Sequence, residues 1–379
     1  MFALHLCFDG NFISDSYFVF EKYYPNSNLF LIGKELYKCK LIKCKENFTY
    51  IDFENPDYRI IDDVCRTKNV DRLVLHGMSL TYIGLIKYLS INKNLKIYWL
   101  FWGYELYISL AQMGKYSLID GYSIFSPISY IVPGRYNVFL RRCIGKKIIY
   151  EYFQEMLPYI DYFCFWNYED YKLLKQNFNV DIQYKFFAYN AGYKLGFDEL
   201  YERNLEYSER RSILINHQAS LTGNHLTIMN RINAIDCNNQ YKKICPLSYG
   251  SKYIRKIVLK KGTDLFLDKF FPVLDYMPRD EYFDLITSVD VAFIGAKRQE
   301  ASGNIINLLG NGIKVFLRED NNLLRYYRDK GFIVFSFDKD FNSIKDLEPL
   351  SLEEQEWNRD CRLRNRIYYE QFMPSFFND

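Results

Sequence analysis

Two loops in the second half of the sequence have the composition of an anion-binding site. The first, Asn216-His217-Gln218-Ala219-Ser220-Leu221-Thr222-Gly223-Asn224-His225, follows an apolar run and opens a helical pattern. Small polar residues in that position can present backbone N–H groups and hydroxyls to phosphate oxygens, aided by the positive end of the following helix. An ordinary strand-to-helix loop with Thr222 or Asn224 as N-cap has the same composition. The second loop is Lys297-Arg298-Gln299-Glu300-Ala301-Ser302-Gly303-Asn304. It sets two cations beside a small-residue turn at a helix start, which suits a diphosphate, with Arg298 able to pair bidentately. Glu300 adds negative charge there and fits sugar hydroxyls better than phosphate. A capped helix beside a solvated basic pair is the structural alternative.

The first half supplies candidates for acid–base chemistry. Trp99-Leu100-Phe101-Trp102-Gly103-Tyr104-Glu105 ends a strand pattern, and Gly103 permits a tight turn into the next helix. Glu105 is then expected at the rim of a cleft with aromatic walls. A carboxylate in such surroundings has a raised pKa and can serve as a general base, although a first-turn Glu is also simply favoured by the helix dipole. His76-Gly77, at another strand end, offers a second base or phosphate donor. Arg135, Arg141, Arg142, Lys146 and Lys147 alternate with Phe139, Leu140, Ile144, Ile148 and Ile149 after an apolar stretch. That pattern fits either an anionic membrane surface or a core-facing helix with a solvated basic side.

Bulk composition narrows the classes. The chain has 379 residues, enough for two ordinary domains, and 49 Lys plus Arg against 46 Asp plus Glu give no global nucleic-acid signal. The nine Cys are scattered without metal-site spacing, which suits a reducing compartment. Residues 1–9 read as a first strand rather than a secretory leader, and no apolar run of spanning length occurs. There is no G-x-G-x-x-G and no P-loop, so nicotinamide chemistry and P-loop phosphate binding are disfavoured. Asp338-Lys339-Asp340 has a metal–diphosphate spacing but falls after a late strand pattern, and reads as a solvated turn. No metal and no cofactor are expected.

These residues must be positioned by alternating strands and helices. Strands are expected at residues 3–8, 29–32, 72–75, 96–101 and 162–166, and again at 212–216, 243–246, 291–295, 313–317 and 332–335. Helical patterns lie between them, including 136–156, 303–309 and a last one over 353–372. Strands alternating with helices imply parallel sheets, and two such sets imply two doubly wound lobes. The expected organisation is an N-terminal Rossmann-like acceptor-binding domain (1–200) and a C-terminal Rossmann-like nucleotide-sugar-binding domain (201–345). A helical segment (346–379) is expected to pack back on the first domain. Ligands belong at the carboxyl ends of the strands, in a cleft the lobes face.

Several of these motifs, in order, resemble the glycosyltransferase family 56 enzymes. These are the dTDP-N-acetylfucosamine:lipid II N-acetylfucosaminyltransferases of enterobacterial common antigen synthesis. The matching pieces are His76-Gly77, Phe101 to Tyr107, Asn216 to His225, and Pro246-Leu247-Ser248-Tyr249-Gly250. Asp280 to Leu285, Arg298-Gln299 with Gly303, and Gly310-Asn311-Gly312-Ile313 complete the set, which spans about residues 70 to 335. Glu105 stands where members of that family tend to carry Asp. The resemblance implies a GT-B fold and a nucleotide-sugar donor, dTDP-linked, bearing a deoxyamino or fucose-like sugar. It further implies a polyprenyl-diphosphate-linked acceptor and a peripheral position on the inner leaflet. By position Asn216, Ser220, Asn224, Tyr249, Lys297, Arg298, Gln299, Ser302, Gly303 and Asn304 would line the donor side, with Glu105 and His76 toward the acceptor. A nucleotide-sugar epimerase or hydrolase on the same scaffold, or a non-catalytic scaffold of a glycan assembly complex, are the alternative readings.

Overall fold

Thirteen strands form two separate, wholly parallel sheets in the computed structural model, which describes residues 1–42, 46–93, 95–121, 147–189 and 210–378. The chain divides accordingly. Residues 1–116, 134–198 and 367–379 form one unit, and residues 117–133 and 199–366 the other.

The first sheet contains β1 (Ala3–Cys7), β2 (Asn28–Ile32), β3 (Phe48–Tyr50), β4 (Arg72–His76), β5 (Lys96–Leu100), β6 (Tyr162–Cys164) and β7 (Gln183–Lys185), in the order β3-β2-β1-β4-β5-β6-β7. Its helices are α1 (Asn11–Tyr23), α2 (Tyr58–Lys68), α3 (Ile83–Lys93), α4 (Tyr104–Gln112), α5 (Ile149–Met156) and α6 (Tyr168–Asn177). All of β1 and most of β4 are buried, because helices cover both faces of a parallel sheet. Asp57 and Asn167 cap α2 and α6 by accepting the amides of Arg59 and Glu169. The strand order reverses between β1 and β4, so this unit's switch point lies where Phe8-Asp9-Gly10 and His76-Gly77 emerge.

The second sheet contains β8 (Ser212–Ile215), β9 (Lys242–Pro246), β10 (Phe270–Val273), β11 (Val291–Ile294), β12 (Lys314–Leu317) and β13 (Phe335–Ser336), in the order β10-β9-β8-β11-β12-β13. Its helices are α7 (His225–Ile235), α8 (Lys252–Phe266), α9 (Arg279–Thr287), α10 (Ser302–Gly310), α11 (Asn322–Asp329) and α12 (Leu352–Arg364). Ser251 and Asn321 cap α8 and α11, and Ser351 with Glu354 forms a capping box on α12. Here the order reverses between β8 and β11. The two loops singled out for anion binding leave those two adjacent strands.

Strands β3, β7 and β10 escape the sequence pattern because they are short, half-exposed and at or near sheet edges. The strand expected at 332–335 starts only at Phe335. The helix expected over 353–372 stops at Arg364, and the tail continues as short turns at Tyr369–Gln371 and Met373–Ser375. The C-terminal segment is also divided: α12 belongs to the second unit and residues 367–379 to the first. Tyr369, Phe372, Met373, Phe376 and Phe377 join the first unit's core with Phe20, Tyr98 and Phe187, which holds the tail there. Residues 117–121 group with the second unit because Asp120 pairs with Lys297 and Arg318. No helix among the described residues is long and apolar enough to cross a membrane.

Lys243, on β9, is fully buried and tied to Asp236 (2.6 Å) and to the Asn239 side-chain oxygen (2.6 Å). Burial lowers its pKa and the carboxylate opposes that shift. Asp236→Ala is expected to destabilise the second unit by about 3–5 kcal/mol, because it strands a buried cation. Lys243→Met should cost far less, since the Asp236 carboxylate keeps the amides of Gln240 and Tyr241. Urea unfolding of both variants checks the asymmetry; equal losses would contradict it.

Candidate functional site

In the second unit the site is assembled by two asparagines. Asn216 leaves β8 in the left-handed region (φ +58) and is buried. Its Oδ1 accepts the Gly295 amide (2.7 Å) and its Nδ2 donates to the Gly223 carbonyl (2.9 Å), which ties the first loop to the end of β11. The approach is so close that a Cβ on Gly295 would lie 2.1 Å from the Gly223 oxygen. Asn224, also left-handed (φ +49), donates to the carbonyls of Leu118, Thr222 and Gly295, and accepts the Asp120 amide. Both residues therefore direct their polar atoms at backbone. Asn224 holds the N-cap position of α7 but makes no side-chain capping bond.

Several neighbouring polar atoms have no such partners. His217 Nδ1, Ser220 Oγ and Glu300 Oε2 are buried with no hydrogen-bond partner in the protein, and the His225 ring is met only by the backbone of Gln218 and Ser220. Buried groups of this kind normally find one. Burial lowers the pKa of both histidines, that of His225 to about 3, so both rings are neutral. Ser220 and His225 line a small recess of about 60 Å3 together with Asp120, Asn224, Ile254 and Ile257.

The second loop ends in Ala301, left-handed at φ +62, which turns Ser302, Gly303 and Asn304 into the half-exposed first turn of α10. The first amides of a helix have no intrahelical acceptor and carry the positive end of its dipole. The two cations expected to be free beside this turn are both paired. Arg298 meets Glu300 Oε1 at 2.7 Å, and that same oxygen accepts the Thr222 hydroxyl at 2.7 Å. Lys297 is bound to Asp120 (2.9 Å) and approaches Asp320 (3.6 Å). Arg298 remains 19% exposed at its side chain, against 10% for Lys297. Gln299 is half-buried, with its carbonyl near Arg298 Nη1 (3.5 Å). Tyr249, 74% exposed, lies on the loop after β9, where its carbonyl accepts the Ala219 amide.

Sequence reasoning missed Arg318 and Asp120. Arg318, at the end of β12, pairs with Asp120 and with Asp338 and is nearly buried. Asp338 also accepts the Glu319 amide, and Asp340 pairs with Arg328 (2.9 Å), so both carboxylates of the D-x-D are engaged inside the second unit. The signal for Arg318 was a cation directly after an apolar parallel strand. It was hidden in the charged run Arg318-Glu319-Asp320.

In the first unit Gly103 (φ +97) turns β5 into α4, and Glu105 falls in the first turn. It is not at a rim: the residue is 1% exposed. Oε1 accepts the Met78 amide (3.2 Å) and the Trp99 indole N–H (3.0 Å), while Oε2 has no partner. Burial pushes its pKa up to about 7 against those hydrogen bonds.

His76 belongs to a chain whose protons can be placed. Asn28 Nδ2 donates to Glu21 and to the Tyr24 carbonyl, so its Oδ1 is the atom facing His5 Nε2 (3.2 Å). His5 therefore carries its proton on Nε2 and accepts at Nδ1 from His76 Nε2 (3.0 Å). Burial holds both rings neutral, His5 at about 3. His76 Nδ1 is then the acceptor for the Tyr189 hydroxyl (3.4 Å), which accepts the Trp102 indole N–H (3.0 Å). Both His76 nitrogens are thus occupied, and the ring acts as a link that orients Tyr189 and Trp102.

Arg135, Arg141, Arg142 and Lys146 lie outside the described residues. Lys147 is half-exposed and paired with Glu155 (3.0 Å).

The raised pKa of Glu105 has a signed consequence. The folded carboxyl keeps its proton up to about pH 7, whereas the unfolded one releases it near pH ~4.3. In that window the folded state binds more protons, so stability falls as pH rises and levels off above it. Glu105→Gln removes this loss. The variant is expected to gain stability over wild type on going from pH 5 to pH 8, by up to about 3 kcal/mol. Denaturation at both pH values checks it, and a constant difference would contradict it.

No protein-family model and no curated protein sequence matches the chain. Solved structures do match in fold. Sucrose-phosphate synthase from Thermosynechococcus elongatus superposes with a TM-score of 0.61 at 10% identity, over 98% of this chain and 96% of that one. HepE from Anabaena, in complex with UDP-glucose, gives 0.56 at 10% identity over 98% and 97%. A glycosyltransferase from Rickettsia africae gives 0.59 at 12% identity over 100% and 99%. At such identities the likeness establishes the fold, and the fold is GT-B: two Rossmann-like, doubly wound α/β lobes.

Proposed function

We propose that the protein is a glycosyltransferase that takes a sugar from a nucleoside diphosphate donor held by its second unit. One observation carries this reading. The unpaired polar atoms of His217, Ser220 and Glu300 gather at the β8–β11 switch point, where the loop that leads into α10 begins. The solved structures of similar fold support it, HepE being a complex with UDP-glucose and, separately, with UDP.

In this reading the donor diphosphate lies on the first-turn amides of α10, at Ser302, Gly303 and Asn304. Arg298, the least buried of the local cations, turns from Glu300 to the phosphate. That movement frees the Glu300 carboxylate for sugar hydroxyls. The bond from the anomeric carbon to the diphosphate oxygen breaks, its electrons pass to the diphosphate, and the acceptor hydroxyl forms the new bond. Glu105 in the first unit has the pKa near 7 and the unpaired oxygen that suit a base, and it takes the acceptor proton once the cover that leaves it 1% exposed opens. Asp338 and Asp340 are consumed by Arg318 and Arg328, so the charge falls to Arg298 and helix amides rather than to a D-x-D metal.

The finer assignments rest on the family resemblance. They are a dTDP-linked deoxyamino or fucose-like sugar, a polyprenyl-diphosphate-linked acceptor, and a peripheral place at the inner leaflet. The first domain would serve the acceptor and the second the donor.

Calorimetry with dTDP, UDP and GDP tests the donor site. Arg298→Ala is expected to weaken the preferred nucleotide by about 1.5–3 kcal/mol, the range for a charged hydrogen bond. Unchanged affinity removes Arg298 from the site. Glu105→Gln is expected to bind donor normally while turnover drops at least about 100-fold. Full activity in that variant would leave Glu105 a purely structural residue.

A further inference from the structure

Between Cys237 and Thr263 the sequence contains seven Lys or Arg and no Asp or Glu. Most of that charge is displayed by α8. Its buried side is Ile254, Val258, Gly262 and Phe266. At 100° per residue, Lys252, Lys256, Lys260, Tyr253, Thr263 and Asp264 share the opposite arc, about 120° wide, and all six are exposed. The three lysines form an i, i+4, i+8 row, and none has an ion-pair partner among the described residues. Apolar surface is interleaved with them: Tyr253 is 52% exposed, and Leu267, just past the helix end, is 68% exposed. Asp264 is the one acidic residue of the arc.

We infer that this face of α8 is a docking surface for an anionic lipid bilayer. A lysine row with a tyrosine and a leucine at solvent-facing positions matches an interfacial helix, whose cations meet lipid headgroups while aromatic and apolar groups enter the boundary region. Lysine acts as a point charge and suits a smeared anionic surface. A surface that reads individual phosphates or bases would favour the guanidinium fork, and Arg is absent from the arc. The surface is distinct from the Arg135–Lys147 stretch, and it stands whether or not the protein transfers sugar.

The test is co-sedimentation of the full chain with phosphatidylcholine vesicles and with vesicles containing phosphatidylglycerol. The wild type is expected to bind the phosphatidylglycerol vesicles selectively and to be released as salt is raised. Lys252→Gln, Lys256→Gln and Lys260→Gln together should lower the partition coefficient about 100-fold, at about 1 kcal/mol per lysine. The matching triple Lys→Arg variant should stay bound, which separates charge from folding. The inference is overturned if the wild type ignores phosphatidylglycerol vesicles. It is equally overturned if the Gln triple binds like wild type, the result expected were the Arg135–Lys147 stretch responsible, or if the chain binds single-stranded RNA and no vesicle.

Discussion

The side-chain amide of Asn216 holds the second unit's site in shape. Through its bonds to Gly223 and Gly295 it fixes the loop after β8 against the end of β11, across the reversal of strand order. Asn224 repeats the device with three carbonyls and one amide. The Thr222 hydroxyl adds a bond from the first loop to Glu300 on the second, and Asn321 donates to the carbonyls of Ala296 and Arg298. His217 Nδ1, Ser220 Oγ and Glu300 Oε2 are left buried without a partner beside them. Asn216 and Asn224 thus spend their side-chain amides on backbone.

Electrostatics at the site differ from a simple basic pocket. Lys297, Arg298 and Arg318 are matched by Asp120, Glu300, Asp320 and Asp338 within the same unit. On the proposed reading a diphosphate would meet a neutralised bed, and its charge would fall to helix amides and to exchange of one ion pair. The Arg298–Glu300 pair is the one suited to exchange. Its cation is the least buried of the three, and breaking the pair would release a carboxylate for sugar hydroxyls.

The positions of the two loops were legible in the sequence because small polar residues interrupt strong apolar runs at Ile215 and Ile294, and parallel α/β sheets place ligands at such ends. The place of Lys297 and Arg298 as cations ahead of a helix start was also legible, but their carboxylate partners were not. Asp120 lies 177 residues before Lys297 in the chain, and no local pattern reports a pair at that separation. His5 was hidden for a different reason. In Ala3-Leu4-His5-Leu6-Cys7 it reads as one member of a buried strand, and only its bond to His76 shows that it fixes the tautomer of a residue 71 positions away. Glu105 was found by its place after Gly103, yet its burial depends on Trp99 and Met78 closing over it, which composition does not encode.

The central claim is that the first turn of α10, with Arg298, receives a nucleoside diphosphate. Backbone 15N–1H spectra recorded as dTDP or UDP is added to the full chain test it most directly. The account predicts saturable shifts concentrated at the amides of Ser302, Gly303 and Asn304, with the Arg298 side-chain signal moving as it leaves Glu300. Nucleotide binding that leaves those amides unmoved and perturbs another part of the chain would contradict it.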